Sequence, residues 1–225
     1  MPNEDRIAER LARLDTCAVS DALDQLGLAG AVAGITALSA PGRIAGRAVT
    51  VRLAAGPQQG SVKRHLGASA IDGANPGDVI VIEQSTGIDA ACWGGILSQA
   101  ARLRGISGVV AEGPVRDVDE ARSIGFPVYA RSATARTARG RIHEVATNEQ
   151  IAVGGVTVNA GDLVLADATA VVFVAQARAE EVLEAAERIA SREATMVEAL
   201  RQGQRVSDVM DARYEDMLTE KETTK

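Results

Sequence analysis

Arg116, Asp117 and Glu120 stand out as chemically useful side chains, within Gly113-Pro114-Val115-Arg116-Asp117-Val118-Asp119-Glu120. The segment reads as a strand end, a tight turn and a helix beginning at Asp117. Residues three apart on a helix face the same way, with Cβ atoms ~5–6 Å apart. Two carboxylates so placed can share one Mg²⁺ or Mn²⁺, directly or through its waters. Arg116 beside them offers a planar fork for a substrate carboxylate and for developing negative charge. The same Asp-x-x-Glu pattern also reads as a capping box, with acids complementing a helix dipole.

A second segment, Gly94-Gly95-Ile96-Leu97, opens a predicted helix after an irregular loop. Glycines there let the backbone approach a ligand, and the free N–H groups of a helix start suit a carboxylate. A simple turn is the alternative reading of this segment.

The elements that must hold these groups follow from periodicity and turn signals. Ile7, Leu11 and Leu14 share a helical face, and a short helix is predicted over 19–26. Strands are predicted at 48–53, 79–83, 108–112 and 127–130, with helices at 94–103 and 117–124 between them. The section 142–174 is β-rich, with a Gly154-Gly155 hairpin signal. A long helix is predicted from about Ala179 to Arg201, with Val182, Ala185, Ile189, Met196 and Leu200 near one face; Gly203 ends it. Ser20-Asp21 reads as a helix-start cap. The chain is expected to be a single domain over 1–225, with an N-terminal helix at about 1–15 and C-terminal helices and a polar tail from about 178. Strands sometimes alternate with helices and sometimes form hairpins, which argues against a plain Rossmann sheet.

Composition narrows the chemistry. The 225 residues are 46% hydrophobic, so the chain can bury a core. The formal net charge of −6 disfavours nucleic acid as a partner. No apolar stretch approaches the ~20 residues that span a bilayer, and the first residues lack a signal-peptide pattern; a cytoplasmic protein is expected. Lysine occurs only at 63, 221 and 225, and histidine only at 65 and 143. A Schiff-base enzyme would have to use Lys63, and a multi-histidine zinc site cannot be assembled from one chain. Any carbonyl electrophile is therefore expected to be a hard cation held by carboxylates. The two histidines read as structural or surface residues. Cys17 and Cys92 form no framework, and Cys92 and Trp93 are expected near a pocket entrance. No dinucleotide, P-loop or S-adenosylmethionine-type glycine loop is present.

The pairing of Gly-Gly-Ile-Leu at 94–97 with Arg116-Asp117-x-x-Glu120, twenty residues beyond Gly95, resembles the RraA-like superfamily. That superfamily includes 4-hydroxy-4-methyl-2-oxoglutarate aldolases and the regulator of ribonuclease activity A. Val19–Leu23, Pro76–Val79, Gly125–Val128, Gly161–Val164 and Ala166-Asp167 fall in the same order. The resemblance implies a swivelling α/β/α fold, with mixed sheets flanked by helices, assembling into homotrimers or homohexamers with sites between subunits. It implies that Gly94, Gly95, Ile96, Leu97 and Arg116 hold a pyruvate-like 2-keto acid, that Asp117 ligates the metal, and that Glu193 reaches a neighbouring subunit's site as an acid/base group. The implied activity is cleavage of a carbon–carbon bond beside a 2-keto acid through a pyruvate enolate, by retro-aldol reaction or oxaloacetate decarboxylation. Aldolases of the superfamily often carry an acid where this chain has Gly95; the arrangement here, with Glu120 supplying the acid, resembles the decarboxylating branch. The alternative is a protein-binding regulator of a ribonuclease that performs no chemistry.

Overall fold

The run Val-Ile-Val-Ile at 79–82 is apolar at consecutive positions, so it must be covered on both faces of a sheet. A computed structural model of the protein describes residues 2–40, 42–58 and 64–210 and places this run at the centre of the fold. Val79 and Val81 enter one core; Ile80 and Ile82 enter another.

The chain begins with α1 (Pro2–Arg13) and α2 (Thr16–Gln25), then β1 (Ala31–Val32), β2 (Thr36–Ala37) and the twelve-residue β3 (Ile44–Ala55). Next come α3 (Ala68–Gly73), β4 (Val79–Glu83), α4 (Gly95–Leu103), β5 (Gly108–Val115), α5 (Val118–Ser123) and β6 (Val128–Ala133). The β-rich section supplies β7 (Ile142–Thr147), the hairpin β8 (Ile151–Val153) and β9 (Val156–Val158), β10 (Leu163–Ala166) and β11 (Val171–Val174). Helices α6 (Ala179–Arg201) and α7 (Val206–Val209) follow. The polar tail expected after these, with Lys221 and Lys225, and Lys63 lie outside the described residues.

The main sheet runs β1-β11-β10-β3-β4-β5-β6-β2, with β7 pairing the far half of β3. Strands β3 to β6 are parallel; β10, β11 and β7 are antiparallel to their neighbours. This is the mixed α/β architecture expected from the order of elements. The sheet curls so that residues from both ends, Val32 and Ile35 with Tyr129, Val164 and Phe173, share one interior core. A second core lies under α3, α4 and α5. A third joins α1, α2 and α6 to the outer face of β10 and β11.

Three local expectations are corrected. The turn expected at Gly113-Pro114 is instead a continuation of β5, in which an irregularity after Ala111 lets Pro114 and Val115 still pair with Ser132 and Ala133; a proline is accommodated at such a bulge because the ladder is already interrupted. Ser20-Asp21 lies inside α2, whose cap is Asp15, accepting the Ala18 N–H at 2.8 Å. On α6, Val182, Ala185 and Ile189 are buried, but Met196 is only partly covered and Leu200 is exposed, because the helix outruns the sheet.

Asp167 closes the third layer. Its carboxylate accepts the Thr16 N–H at 2.9 Å, the Thr16 hydroxyl at 2.7 Å and the Thr169 N–H at 2.9 Å. Burial pushes this carboxyl up, but hydrogen bonds from Thr16, Thr169 and Ala170 outweigh it and leave it below the usual aspartate range. A depressed native value means that the stabilisation is present above the unfolded-state pKa and is lost as pH falls through the native one. Asp167→Asn is therefore expected to lower stability at pH 7 by about 1–3 kcal/mol, the scale for hydrogen bonds to a charged group. Urea titrations should find the gap to the parent protein closing as pH is taken below 4.

Candidate functional site

Two backbone hydrogen bonds lay the loop before α4 against the end of β5: Cys92 N–H to the Pro114 carbonyl at 2.9 Å, and Arg116 N–H to the Trp93 carbonyl at 3.0 Å. They bring Gly94-Gly95 beside Arg116-Asp117 across twenty intervening residues. Asp117 is left-handed (φ 57°, ψ 37°), a conformation aspartate tolerates better than most non-glycine residues. It precedes α5 but donates no cap to it. Its Oδ2 instead accepts the Gly95 N–H, the first amide of α4, at 3.0 Å. The capping reading is thus corrected: the aspartate caps a different helix from the one it begins. Arg116 Nε lies 3.2 Å from the same oxygen.

The glycines follow from this contact. A Cβ on Gly94 would sit 3.0 Å from the Asp117 carboxylate and 3.2 Å from the Arg116 side chain. A Cβ on Gly95 would overlap the carboxylate of Glu120. Both acids therefore approach the start of α4 because two side chains are missing there. The Glu120 carboxylate forms no hydrogen bond or ion pair among the described residues, and both acids are exposed.

Trp93 and Ser98 fix the orientation of α4. The indole N–H donates to the Ser98 hydroxyl at 2.9 Å, and that hydroxyl donates to the Gly94 carbonyl at 3.2 Å. The indole stacks on Phe126 with ring centroids 6.3 Å apart. With Gly95 N–H taken by Asp117, the N–H groups of Ile96 and Leu97 are the amides at this helix start that have no partner among the described residues.

These groups line a cavity of about 280 Å³: Arg116, Asp117 and 93–97, together with His65, Leu66, Ala91, Thr137, Ala138 and Arg139. The cavity suits a small acid; drug-sized ligands and cofactors occupy ~300–1,000 Å³. It thus brings together Gly94, Gly95, Ile96, Leu97, Arg116 and Asp117. Glu120 stands behind Gly95, outside the lining. Glu193 is on α6, near Asp15 and Asp21; burial and these two acids push its carboxyl above the usual range. Trp93 lines the cavity as expected, but Cys92 does not. It is fully buried, with its thiol donating to the Pro114 carbonyl, and burial pushes it up to about 12. Such a thiol is no nucleophile.

Arg139 and His65 are the residues that sequence reasoning missed. Arg139 lies in the connection between β6 and β7, and no short-range spacing ties it to Arg116. His65 Nδ1 lies 2.9 Å from the Leu66 carbonyl, which can only accept, so this nitrogen carries the proton and Nε2 is the nitrogen left for the cavity.

The two acids are hard oxygen donors, and among the described residues no third Asp, Glu, His or Cys completes a metal cluster. That donor set fits a cation such as Mg²⁺, which keeps several waters and takes one or two carboxylates.

Curled mixed sheet, flanking helices and a small pocket with a helix start at one wall define a mixed α/β protein. The chain belongs to the RraA-like family, described as Aldolase/RraA, whose model matches residues 16–173. It is 32% identical over 183 residues to protein DlpA of Legionella pneumophila, covering 81% of this chain but only 29% of that much longer protein. It is 32% identical over 179 residues to a Halalkalibacterium halodurans protein provisionally named a 4-hydroxy-4-methyl-2-oxoglutarate aldolase, covering 78% of this chain and 79% of that one. Among solved structures, an uncharacterised protein from Pseudomonas syringae pv. tomato superposes with a TM-score of 0.83 at 29% identity, covering 92% of this chain and 98% of the other. No helix among the described residues is long and apolar enough to cross a membrane.

Ser98→Ala should strand the buried Trp93 N–H. The expected cost is about 1–3 kcal/mol. It can be read in urea through the fluorescence of Trp93, the sole tryptophan.

Proposed function

We propose that this protein is a divalent-cation-dependent lyase that breaks a carbon–carbon bond beside a 2-keto acid. The observation that carries the reading is the Asp117 carboxylate held at the start of α4, with Arg116 against it and two unpartnered amides beside it. The aldolase name of a relative with 32% identity supports the same class.

Asp117, with Glu120 behind Gly95, would hold the cation, Mg²⁺ or Mn²⁺. When bound, it supplies Lewis acidity at the 2-keto oxygen. The N–H groups of Ile96 and Leu97 and the positive end of α4 receive the C1 carboxylate. Arg116 donates to the same end of the substrate and offsets the negative charge that grows on the keto oxygen as the bond breaks. In a retro-aldol reaction the C4 hydroxyl gives up its proton, the C3–C4 electron pair moves into the C2–C3 bond, and C3 is then protonated to give pyruvate. In oxaloacetate the corresponding pair is released by loss of CO₂. One developing charge, met by the same residues, thus serves both substrates.

The site is open to solvent at α4, where Ile96 and Leu103 are 84% and 87% exposed on one face of the helix. Two large apolar side chains so placed support assembly of copies, as trimers or hexamers, over the pocket rim. Glu193 belongs to this reading as the acid/base group of a neighbouring copy; burial and the nearby Asp15 and Asp21 push its carboxyl upward, the direction such a role needs.

Purified protein given oxaloacetate or 4-hydroxy-4-methyl-2-oxoglutarate with Mg²⁺ or Mn²⁺ should release pyruvate, and EDTA should abolish the release. Arg116→Ala should lower kcat about 10²–10³-fold, the scale for removing one donor to a developing oxyanion. Asp117→Asn keeps a residue that tolerates the left-handed backbone and can still accept the Gly95 N–H, so it should fold normally yet lose cation dependence and most turnover. Pyruvate release that ignores EDTA would overturn the mechanism. Absence of turnover together with capture of a ribonuclease would favour the regulator reading that the family description also covers.

A further inference from the structure

Arg139 lines the same cavity as Arg116 but enters it from the loop between β6 and β7. Its guanidinium makes no hydrogen bond or ion pair among the described residues, whereas other arginines of β6 and this loop are engaged. Arg136 pairs with Asp89 at 3.5 Å, Arg141 donates to the Thr137 carbonyl at 3.1 Å, and Arg131 donates to the Ala33 carbonyl at 3.1 Å. The one acid lining the cavity among the described residues, Asp117, is already committed to Gly95 and Arg116.

The loop that carries Arg139 is tied down at several points. Thr134 N–H donates to the Val115 carbonyl at 2.8 Å, and Ala91 N–H to the Arg136 carbonyl at 2.9 Å. The N–H groups of Arg141 and Ile142 both donate to the Ala138 carbonyl, at 2.9 and 3.0 Å. The Arg139 N–H itself donates to the Thr137 hydroxyl at 3.3 Å. The backbone therefore presents the guanidinium from a fixed point. His65 is anchored beside it, with Nδ1 2.9 Å from the Leu66 carbonyl.

An unpaired guanidinium beside a small cavity is matched by a carboxylate, which accepts two of its N–H groups at once. The C1 carboxylate of the proposed substrate already has Arg116 and the α4 amides. We propose that Arg139 is a specificity-determining residue that receives the second, distal carboxylate of a dicarboxylic 2-keto acid. This deepens the lyase reading and rests on it: Arg116 reads the keto-acid end common to all substrates, and Arg139 selects those with a second negative charge on the far side.

The test is binding of two unreactive probes to the full-length protein in Mg²⁺, measured by calorimetry. Pyruvate carries one carboxylate. 2-Oxoglutarate carries two and has no C4 hydroxyl to start a retro-aldol cleavage. The parent protein should bind 2-oxoglutarate more tightly than pyruvate. Arg139→Ala should shrink that preference about tenfold, the loss expected for one charge-assisted contact partly open to solvent. Arg139→Lys should restore part of it, since the charge remains but the fork is lost. Arg116→Ala should weaken both probes together. A parent protein that binds both probes without preference, or a preference that survives Arg139→Ala, overturns the role of Arg139 and leaves the lyase reading intact. Failure of both probes to bind the parent protein overturns both readings.

Discussion

The Asp117 carboxylate accepting the Gly95 N–H at 3.0 Å joins the two halves of the site. An aspartate at a helix start usually folds back on its own helix, because the nearest orphan amides are two or three residues ahead. Here the left-handed backbone at Asp117 turns the side chain away from α5 and toward α4. A negative charge at the start of α4 complements the dipole of that helix by roughly 0.3–1 kcal/mol. The same contact uses up one amide, orients Arg116 and leaves the next two amides without a partner among the described residues. Gly94 and Gly95 are required because the carboxylates stand where side chains would be.

Rigidity around this contact comes from polar groups that are buried but paired. Ser98 accepts from Trp93 and donates to the Gly94 carbonyl, so the loop and the first turn of α4 move together. Gln84 does similar work one step earlier, donating to the carbonyls of Ile88 and Ala90 at 3.0 and 3.2 Å and so shaping the loop that leads to Trp93. A second set of carboxylates braces the opposite side of the sheet: Glu83 accepts the Ala152 N–H at 3.1 Å and Glu112 the Gly154 N–H at 2.8 Å, seating the β8–β9 hairpin over the interior core. The fold thus uses some charged side chains as scaffolding and leaves others for the proposed chemistry. What separates the two uses is partnership. Glu83 and Glu112 accept backbone amides of the hairpin. The Glu120 carboxylate and the Arg139 guanidinium have no partner among the described residues, and each stands beside the start of α4 or the cavity it borders.

The sequence by itself determined the elements and much of the site. Consecutive apolar residues at 79–82 required a strand covered on both faces, Gly154-Gly155 required a hairpin, and the periodicity from Ala179 required a long helix; the structure has all three. Local rules suffice there because strand pleat, turn stereochemistry and helical period act over a few residues. The grouping of Arg116 with Asp117 was legible for the same reason, and its link to Gly94-Gly95 only through resemblance to a family. Tertiary structure decided which helix Asp117 caps, since the left-handed turn at that residue is imposed by the pairing of β5 with β6 on one side and with the Trp93 loop on the other. It also decided that Cys92 points into the core while its neighbour Trp93 faces the cavity, and that Arg139 reaches the same cavity as Arg116. Those outcomes depend on contacts between segments far apart in sequence, and no periodicity or spacing encodes where such segments meet.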